Sequence, residues 1–402
     1  MKIALTHFDL TTESGDPKHL LLIAQGLKKL GHTVVIYCAE FKAESCFPRL
    51  NKDLDIRVVP SPVPLASLRR ARGILGKILE RVRRIRFSND LVRRMLNVIN
   101  KDFDLIICEN DRSYKIGFFY KKINKRVKII WIMHNPPFFH FPKSSLLSNL
   151  LSRAVAMLEK ISAKYYGTAV DSILVFDESA KRFADEVGPP VKIVRLPIDV
   201  DYFSSSVRRG VSGKRIRFLS LGALSPARRY EDTIAAVAIL RKKGYDARAA
   251  LICKDYWNDR GYRENFEKFI EASRVKDYVD TRFSGSSEEE LLHIMQESDL
   301  FVLPNNVKLW AIGAFEAMAV GLPLIVSRAT SVVDILHDGV DAMFVDALHP
   351  DQIAEKAEVL ARDSQLYAQI SAAGQKLVRE QLSAGGYVHD MLHSLAMCGG
   401  HK

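Results

Sequence analysis

The chain has 402 residues, 48% of them hydrophobic, which is enough for two globular domains of ordinary size. Its start, MKIALTHFDL, holds one lysine and an apolar run of three, and no later apolar run approaches about 18 residues. We therefore expect neither a secretory signal nor a membrane-spanning helix. The net charge of +12 calls for an anionic partner, and five scattered cysteines without metal-ligand spacing are typical of the cytoplasm.

In the first half of the chain, short β-branched runs alternate with helical segments. The runs are KIALT, HTVVIYC, DIRVV, DLIIC, VKIIWIM, SILVF and VKIVRL. This alternation predicts a parallel sheet with helices on both faces. We assign it to an N-terminal Rossmann-like domain, residues 1–203.

Residues 67–101 contain eleven lysines and arginines against two acidic residues, with apolar residues at helical spacing between the arginines. The structural interpretation is a domain helix with a solvated basic side. The functional interpretation is a peripheral contact with an anionic membrane through residues 67–94. Nucleic acid is disfavoured as a partner, because no aromatic residue is interleaved with the arginines before Phe87.

A serine-, glycine- and charge-rich stretch, SSSVRRGVSGK, follows and predicts a linker at residues 204–214. The alternation then resumes with IRFLSLG, ARAALIC, YVDTRF, DLFVLP, LPLIVS and AMFV, which places a second Rossmann-like domain at residues 215–375. Helices at 376–402 are expected to cross back to the first domain. The predicted fold class is α/β, with two doubly wound domains that face each other across a cleft.

Ligands in such sheets bind at the carboxyl ends of the strands, so the residues after each strand are the candidates for a site. Gly15 lies in the loop after the first strand and before a helix, where backbone N–H groups can face a ligand. His134 ends the VKIIWIM strand. A strand-to-helix turn for Gly15 and a structural role for His134 remain open alternatives.

After IRFLSLG, Arg228 and Arg229 enter the next helix beside a glycine turn. Guanidinium groups at that place suit a phosphate, because they supply fixed, charge-assisted donors. A solvated surface pair is the alternative.

After DLFVLP, the sequence NNVKLWAIGAFEAMAVG predicts a helix that begins near Trp310. The free N–H groups at its start, including those of Ile312 and Gly313, favour a diphosphate, and Lys308 adds a charge nearby. Glu316 lies about one and a half turns further on. A carboxylate there suits the two hydroxyls of a ribose attached to the phosphate.

These segments together resemble a known family. SLGALSPARRYEDTIAAV, MQESDLFVLP, FEAMAVGLPLIVS and DILHDGVDAMFV follow the order and spacing of retaining glycosyltransferases of the GT-B fold, family 4 type, the glycosyl transferases group 1. LLLIAQGLKKLGHTVVIY and LPIDVDYF match the first domain of that family. The resemblance covers nearly the whole chain.

The resemblance implies transfer of a sugar from a nucleotide sugar to an acceptor hydroxyl, with retention at the anomeric carbon and without a metal or other cofactor. By position, Arg228 holds the donor diphosphate, Glu316 the ribose, and Gly15 and His134 lie near the transferred sugar. The first domain receives the acceptor, so the basic stretch suggests a lipid-linked acceptor and a place on the inner face of the membrane. Glycolipid, polysaccharide or other glycoconjugate synthesis is the expected setting.

Three positions depart from the family pattern. Lys308 replaces a glutamate, Ala223 replaces an arginine after the glycine turn, and Ala311 replaces a glycine at the helix start. Arg229 is a candidate to compensate for Ala223. A lysine cannot accept hydrogen bonds from sugar hydroxyls, so these departures bear on donor choice and on activity.

Three rival interpretations remain open. A catalytically impaired nucleotide-sugar-binding protein of the same fold is the main one. A metal-dependent transferase needs an aspartate pair after a strand. The pairs Asp53/Asp55 and Asp102/Asp104 precede strands, and Asp199/Asp201 lies in the DVDYF segment that matches the family. A nucleic-acid-binding protein is the third.

Overall fold

The computed structural model describes residues 1–61, 74–109, 112–134, 146–204, 213–256 and 260–396, with backbone alone at 74–82, 84, 146–149, 151–152 and 396. The chain forms two compact units. Unit 1 comprises Met1–Pro197 together with Ala384–Lys402, and unit 2 comprises Ile198–Ser383. Most of the predicted linker, residues 205–212, lies outside the described residues.

Unit 1 is built on a parallel sheet of seven strands. The described part of unit 1 has nine strands, of which seven form this sheet: β1 (Lys2–Thr6), β2 (Asp9–Leu10), β3 (Thr33–Cys38), β4 (Glu40–Phe41), β5 (Asp55–Val58), β6 (Leu105–Glu109), β7 (Lys128–Ile132), β8 (Ser172–Val175) and β9 (Val191–Ile193). The sheet order is β5-β3-β1-β6-β7-β8-β9, and β2 pairs with β4 in a separate small ladder that the sequence did not predict.

Six helices accompany these strands along the chain: α1 (Gly15–Lys29), α2 (Pro48–Asn51), α3 (Ile74–Val98), α4 (Tyr114–Ile123), α5 (Leu146–Gly167) and α6 (Glu178–Asp185). The central strands β1, β6 and β7 are buried along almost their whole length, as expected of a parallel sheet covered on both faces. Glu109 ends β6 and is itself buried.

Unit 2 repeats the plan with six parallel strands: β10 (Arg215–Ala223), β11 (Asp246–Lys254), β12 (Val279–Arg282), β13 (Leu300–Leu303), β14 (Leu324–Ser327) and β15 (Met343–Val345). Their order is β12-β11-β10-β13-β14-β15. Strand order therefore reverses direction between β10 and β13, and the loops after those two strands lie at the point where such sheets bind ligands.

The helices of unit 2 are α7 (Val200–Ser204), α8 (Tyr230–Lys242), α9 (Arg260–Ala272), α10 (Glu288–Glu297), α11 (Ile312–Val320), α12 (Pro350–Arg362) and α13 (Ser364–Gln381). Helix α11 is buried from Ala314 to Val320 and ends at Gly321, whose φ of 94° is the left-handed conformation that favours glycine. It begins two residues later than the predicted start at Trp310.

The last helix, α14 (Ala384–Ala396), belongs to unit 1 and packs against α1. At Gly26 of α1 an added Cβ would lie 2.8 Å from Cγ2 of Val388, so the glycine permits this close approach. The change from unit 2 to unit 1 lies at residue 384, whereas the predicted return of the chain begins at residue 376.

The predicted membrane-contact stretch, residues 67–94, is described from residue 74 and forms the first part of α3. Toward its end, Leu91, Val92 and Met95 are buried in the core of unit 1, while Arg86 and Arg93 are exposed. This part of the helix agrees with the structural interpretation, a domain helix whose basic side faces solvent. Among the described residues no helix combines the length and the hydropathy that crossing a bilayer requires.

Candidate functional site

In unit 2, the start of α11 is the first part of the candidate site. Ala311 is the N-cap, and Ile312 and Gly313 open the helix, so their backbone N–H groups have no acceptor within it. An added Cβ at Gly313 would lie 2.4 Å from Cδ2 of Leu221, so the absent side chain lets the helix start pack closely against β10. Free N–H groups and the helix dipole favour an anion at this place.

Glu316 lies in the second turn of α11 and is 3% exposed. All its neighbours from Ala314 to Val320 are apolar and buried. A carboxylate can accept two hydroxyl donors, and this one lies about one turn beyond the N–H groups at the helix start.

Arg228 ends a 3-10 turn after β10, and its guanidinium lies over Gly222. A Cβ at Gly222 would approach Arg228 Nε to 2.9 Å, so a glycine is needed for this position of the side chain. Arg228 Nη1 is buried and has no hydrogen-bond partner in the described part of the chain. An unpaired buried guanidinium nitrogen is rare, and a phosphate oxygen would satisfy it.

Arg229 and Lys308 have partners within unit 2. The guanidinium of Arg229 donates to both carboxylate oxygens of Asp232, at 3.1 and 2.6 Å. Lys308 is half exposed, and its Nζ lies 3.4 Å from the carbonyl oxygen of Thr330 and 3.7 Å from Oδ1 of Asp334. An anionic ligand that binds Arg229 and Lys308 would therefore compete with the carboxylates of Asp232 and Asp334.

Asn305 was not predicted. It follows β13 directly after a proline, it is fully buried, and neither its Oδ1 nor its Nδ2 has a partner among the residues described. The amide of the next residue, Asn306, donates to the carbonyl oxygen of Ala227 at 3.1 Å, which places this loop beside the turn that carries Arg228. The signal in the sequence is the polar pair Asn305 and Asn306 directly after a strand.

In unit 1, Gly15 is the first residue of α1, and His134 follows β7. His134 is not isolated. Its Nε2 lies 2.6 Å from Oε1 of Glu109, and its Nδ1 lies 3.3 Å from Oδ1 of Asp16, one residue after Gly15. The side chain of Asp16 is half exposed and that of Glu109 is fully buried.

The same oxygen of Glu109 also lies 2.6 Å from Nδ1 of His19 in α1, a second fully buried histidine. Burial by itself raises the pKa of the Glu109 carboxyl, but the two histidines outweigh that effect and hold its pKa well below the usual value. Burial lowers the pKa of His19 below 6.5, against the opposing charge of Glu109. Burial likewise lowers the pKa of His7, which follows β1.

The ligand atoms of His19, Glu109 and His134 lie within 4.8 Å of one another, a spacing that is also found around a bound metal ion. Two ligands of one tetrahedral zinc lie about 3.4 Å apart when each bond is about 2.1 Å. Both histidine nitrogens are instead 2.6 Å from Glu109 Oε1, which is hydrogen-bond distance. These distances indicate hydrogen bonds between the histidines and Glu109 and not coordination of a metal ion.

The polar side chains thus form two groups, one in each parallel α/β unit, both at the carboxyl ends of central strands. The class of protein is a two-unit, doubly wound α/β fold with ligand positions at the strand ends. Solved structures share this fold over almost the whole chain. HepE of Anabaena, solved in complex with UDP-glucose, is similar with a TM-score of 0.71, 15% identity, and coverage of 99% of this chain and 100% of HepE.

Sucrose-phosphate synthase of Thermosynechococcus elongatus gives a TM-score of 0.74 at 13% identity, covering 99% and 100% of the two chains. Residues 204–377 match the family model described as glycosyl transferases group 1. This match lies in the second unit and agrees with the family resemblance found in the sequence, and the solved structures confirm the predicted fold class.

A curated relative is the D-inositol 3-phosphate glycosyltransferase of Paenarthrobacter aurescens, 25% identical over 193 residues, or 45% of this chain and 44% of that protein. The chain matches less than half the length of the curated relatives.

Proposed function

We propose that this protein is a glycosyltransferase that moves a sugar from a nucleotide sugar to an acceptor hydroxyl and retains the anomeric configuration. The observation that carries the proposal is Glu316, a buried carboxylate in an apolar helix whose N-terminus offers free N–H groups. A nucleoside diphosphate needs both features, since its phosphates are anionic and its ribose hydroxyls are hydrogen-bond donors.

In this proposal the diphosphate lies at the start of α11, at Ile312 and Gly313, with Arg228 Nη1 on a phosphate oxygen. The ribose hydroxyls donate to Glu316, and Lys308 and Arg229 flank the donor. Gly15 and His134 serve the transferred sugar. The complex of HepE with UDP-glucose makes a UDP-hexose the first donor to test.

The protein has two tasks in this reaction. It positions the two reactants, and it stabilises the negative charge on the leaving diphosphate. The acceptor oxygen forms a bond to the anomeric carbon while the bond from that carbon to the phosphate oxygen breaks. The proton of the acceptor hydroxyl passes to the leaving phosphate on the same face. Arg228 and the N–H groups of α11 stabilise the negative charge, so the scheme stands without a metal ion.

Thermal shift with UDP-, GDP- and ADP-sugars tests donor binding, because a ligand of the folded state raises its melting temperature. Release of the nucleoside diphosphate tests turnover. We expect one nucleotide class to give both signals. Binding without turnover would instead support the impaired binding protein, and the absence of both signals contradicts the donor proposal.

A second test concerns Arg228. Its replacement by alanine is expected to weaken UDP binding about tenfold or more while leaving uridine affinity unchanged, because the guanidinium meets only the charged part of the ligand. Arg241→Ala is a matched control, since Arg241 pairs with the exposed Asp246 at the other end of α8. Equal losses for UDP and uridine would make Arg228 a structural residue.

We also propose that the acceptor is lipid-linked and that unit 1 binds an anionic membrane surface. The supporting observation lies on α5, where Leu150, Met157, Leu158, Ile161 and Tyr165 are each more than half exposed. At 100° per residue they form one apolar stripe about 100° wide. Arg153 and Lys164 are exposed along one edge of this stripe.

Helix α4 contacts both α5 and α3, so the exposed arginines of α3 belong to the same group of helices. The ring of Phe118 in α4 lies 5.4 Å from that of Tyr165 and extends the stripe. An apolar face with a basic edge is the pattern of a helix that lies in a membrane interface. Cosedimentation with anionic and with neutral vesicles tests the proposal, and we expect binding to the anionic vesicles.

A further inference from the structure

The group of His7, His19 and Glu109, all buried, together with the partly buried His134, contains more titratable side chains than a packing role needs. Their hydrogen bonds determine where the protons lie. Because an ionised carboxylate only accepts hydrogen bonds and a neutral imidazole has one N–H, the protons of the group can be assigned one side chain at a time.

His19 is neutral with its proton on Nδ1. Its Nδ1 lies 2.6 Å from Glu109 Oε1, whereas its Nε2 is buried without a partner in the described structure. A buried N–H without an acceptor is costly, while an acceptor nitrogen without a donor is better tolerated. Ring contacts with Phe176 and Tyr387 surround the imidazole, at centroid distances of 5.4 and 4.9 Å.

His7 is neutral as well. The backbone N–H of Asp9 donates to His7 Nδ1 at 3.1 Å, so that nitrogen carries a lone pair. The single proton of this imidazole is therefore on Nε2. Neither His7 nor His19 then supplies a positive charge to the group.

Glu109 is ionised. Its Oε1 lies 2.6 Å from a nitrogen of each of two histidines, and its Oε2 is buried without a partner in the chain as described. A proton on Oε2 would be a buried donor without an acceptor. The charge of a fully buried carboxylate must be balanced nearby, and the side chain left to balance it is His134.

Both ring nitrogens of His134 face carboxylate oxygens, Nε2 toward Glu109 at 2.6 Å and Nδ1 toward Asp16 at 3.3 Å. We propose that Glu109 is a positioning residue that, together with Asp16, holds the His134 imidazole doubly protonated. His134 then serves the transfer as a fixed cation, because both of its N–H groups are held by carboxylates. The inference rests on the proposed function for the role of His134, but not for its charge.

A doubly protonated imidazole has no lone pair, so His134 cannot take the proton of the acceptor hydroxyl. In the transfer the acceptor O–H proton goes to the leaving phosphate oxygen, and His134 keeps both of its protons. The positive charge beside the transferred sugar stabilises the negative charge that develops on the leaving group.

Long-range ¹H–¹⁵N spectra of the imidazole rings in the full chain test the charge directly, with His134→Gln to assign the signal. At pH 7.5 we expect both nitrogens of His134 to be protonated, with a titration midpoint above the 6.5 or so of a free histidine. Glu109→Gln should lower that midpoint by about one pH unit or more. Asp16→Asn should lower the midpoint by less. Because Asp16 is half exposed, this variant also tests the inference if Glu109→Gln fails to fold.

Glu159→Gln is the matched control, because Glu159 is a buried glutamate of unit 1 that pairs with Arg112 and not with a histidine. It should leave the His134 midpoint unchanged. A His134 that is neutral at pH 7.5 in the wild-type protein overturns the inference whether or not the protein is active. Stoichiometric zinc in the purified chain, removed by chelator with a change of the imidazole signals, also overturns it.

Activity gives the second readout. The alkaline limb of kcat/KM against pH should move to lower pH in Glu109→Gln, because His134 loses its second proton earlier. A merely structural role would lower kcat at every pH and leave the limb in place. If the spectra show the charge and no nucleotide sugar is turned over, the charge assignment stands and the proposed transfer is wrong.

Discussion

At the scale of the residue, Glu316 is the most informative position, because it places a buried charged acceptor about one turn beyond the free N–H groups that open α11. We expect Glu316→Ala to remain folded and to lower kcat/KM for the donor by about 2 to 4 kcal/mol of transition-state stabilisation, since the ribose hydroxyls lose a charged acceptor.

Steady-state kinetics on the purified variant measure this loss. Glu288→Gln is the control, because Glu288 is another buried glutamate of unit 2, on α10. Unchanged kinetics in Glu316→Ala would remove Glu316 from the donor site, and a comparable loss in the control would point to general damage of unit 2.

Asn305 offers a test that separates function from packing. Its two amide atoms are buried and without partners in the described structure, so replacing it by the similarly sized leucine should leave stability unchanged or raise it. If the amide binds the donor, affinity for the nucleotide sugar should fall by about tenfold in the same variant. Chemical denaturation and donor titration measure the two effects, and a stabilised variant with full donor affinity would show that Asn305 does not touch the donor.

The buried histidines also predict how stability depends on pH. His7 and His19 have lowered pKa values when folded, so below about pH 6.5 the unfolded chain binds protons that the folded chain does not. The contribution of these two histidines to stability is therefore full above that pH and falls as the solution becomes more acidic, by up to about 1.4 kcal/mol per pH unit for each histidine. Below about pH 4.3, where an unfolded glutamate takes up a proton, the depressed pKa of Glu109 adds to the loss.

Urea unfolding of the full chain at a series of pH values between 7.5 and 4 gives the free energy of unfolding of unit 1 for this comparison. His293→Gln is a suitable control, because His293 is exposed on α10 of unit 2. A free energy that stays constant down to pH 5 would contradict the neutral, buried state assigned to His7 and His19.

At the scale of the element, the start of α11 depends on a glycine. An alanine at residue 313 would place its Cβ 2.4 Å from Leu221 Cδ2, so either the side chain or the helix must move. We expect Gly313→Ala to destabilise unit 2 by about 1 to 3 kcal/mol and to weaken donor binding, because the N–H groups of Ile312 and Gly313 move with the helix.

Gly385→Ala is the matched control, since an added Cβ there meets no heavy atom within 4 Å and the residue lies in the first turn of α14. It should stabilise the protein by up to about 1 kcal/mol through helix propensity. Melting temperatures of the two variants make the comparison, and equal behaviour would mean that Leu221 makes room for the methyl group.

The strands of both sheets were predictable because β-branched runs between helical segments specify parallel pairing almost by themselves. The candidate residues of unit 2 were also within reach, since Arg228 and Glu316 follow strands that lie side by side. The group around Glu109 was not. His19 is inside a helix and Glu109 ends a strand ninety residues away, and their contact depends on how α1 lies on the sheet, which local patterns do not specify.

At the scale of the whole molecule, the net charge of +12 and the exposed apolar stripe of α5 lead to one expectation about the membrane. Arginines near an anionic leaflet contribute about 1 kcal/mol each, and the stripe adds apolar contact that salt does not screen. Binding to anionic vesicles should therefore weaken as salt rises without vanishing, and neutral vesicles should bind far less protein.

Two sets of substitutions separate the contributions in a vesicle cosedimentation assay. Changing Leu158 and Ile161 together to serine should abolish the binding that remains at high salt, because both side chains are more than half exposed on the stripe. Changing Arg83, Arg86 and Arg93 together to glutamine should instead lower binding at low salt and flatten the salt dependence, since all three are exposed on α3. Val359→Ser, at an exposed apolar residue of unit 2, controls for surface polarity. If the wild-type protein stays in the supernatant with anionic vesicles at low salt, the stripe has another occupant and a water-soluble acceptor becomes the better expectation.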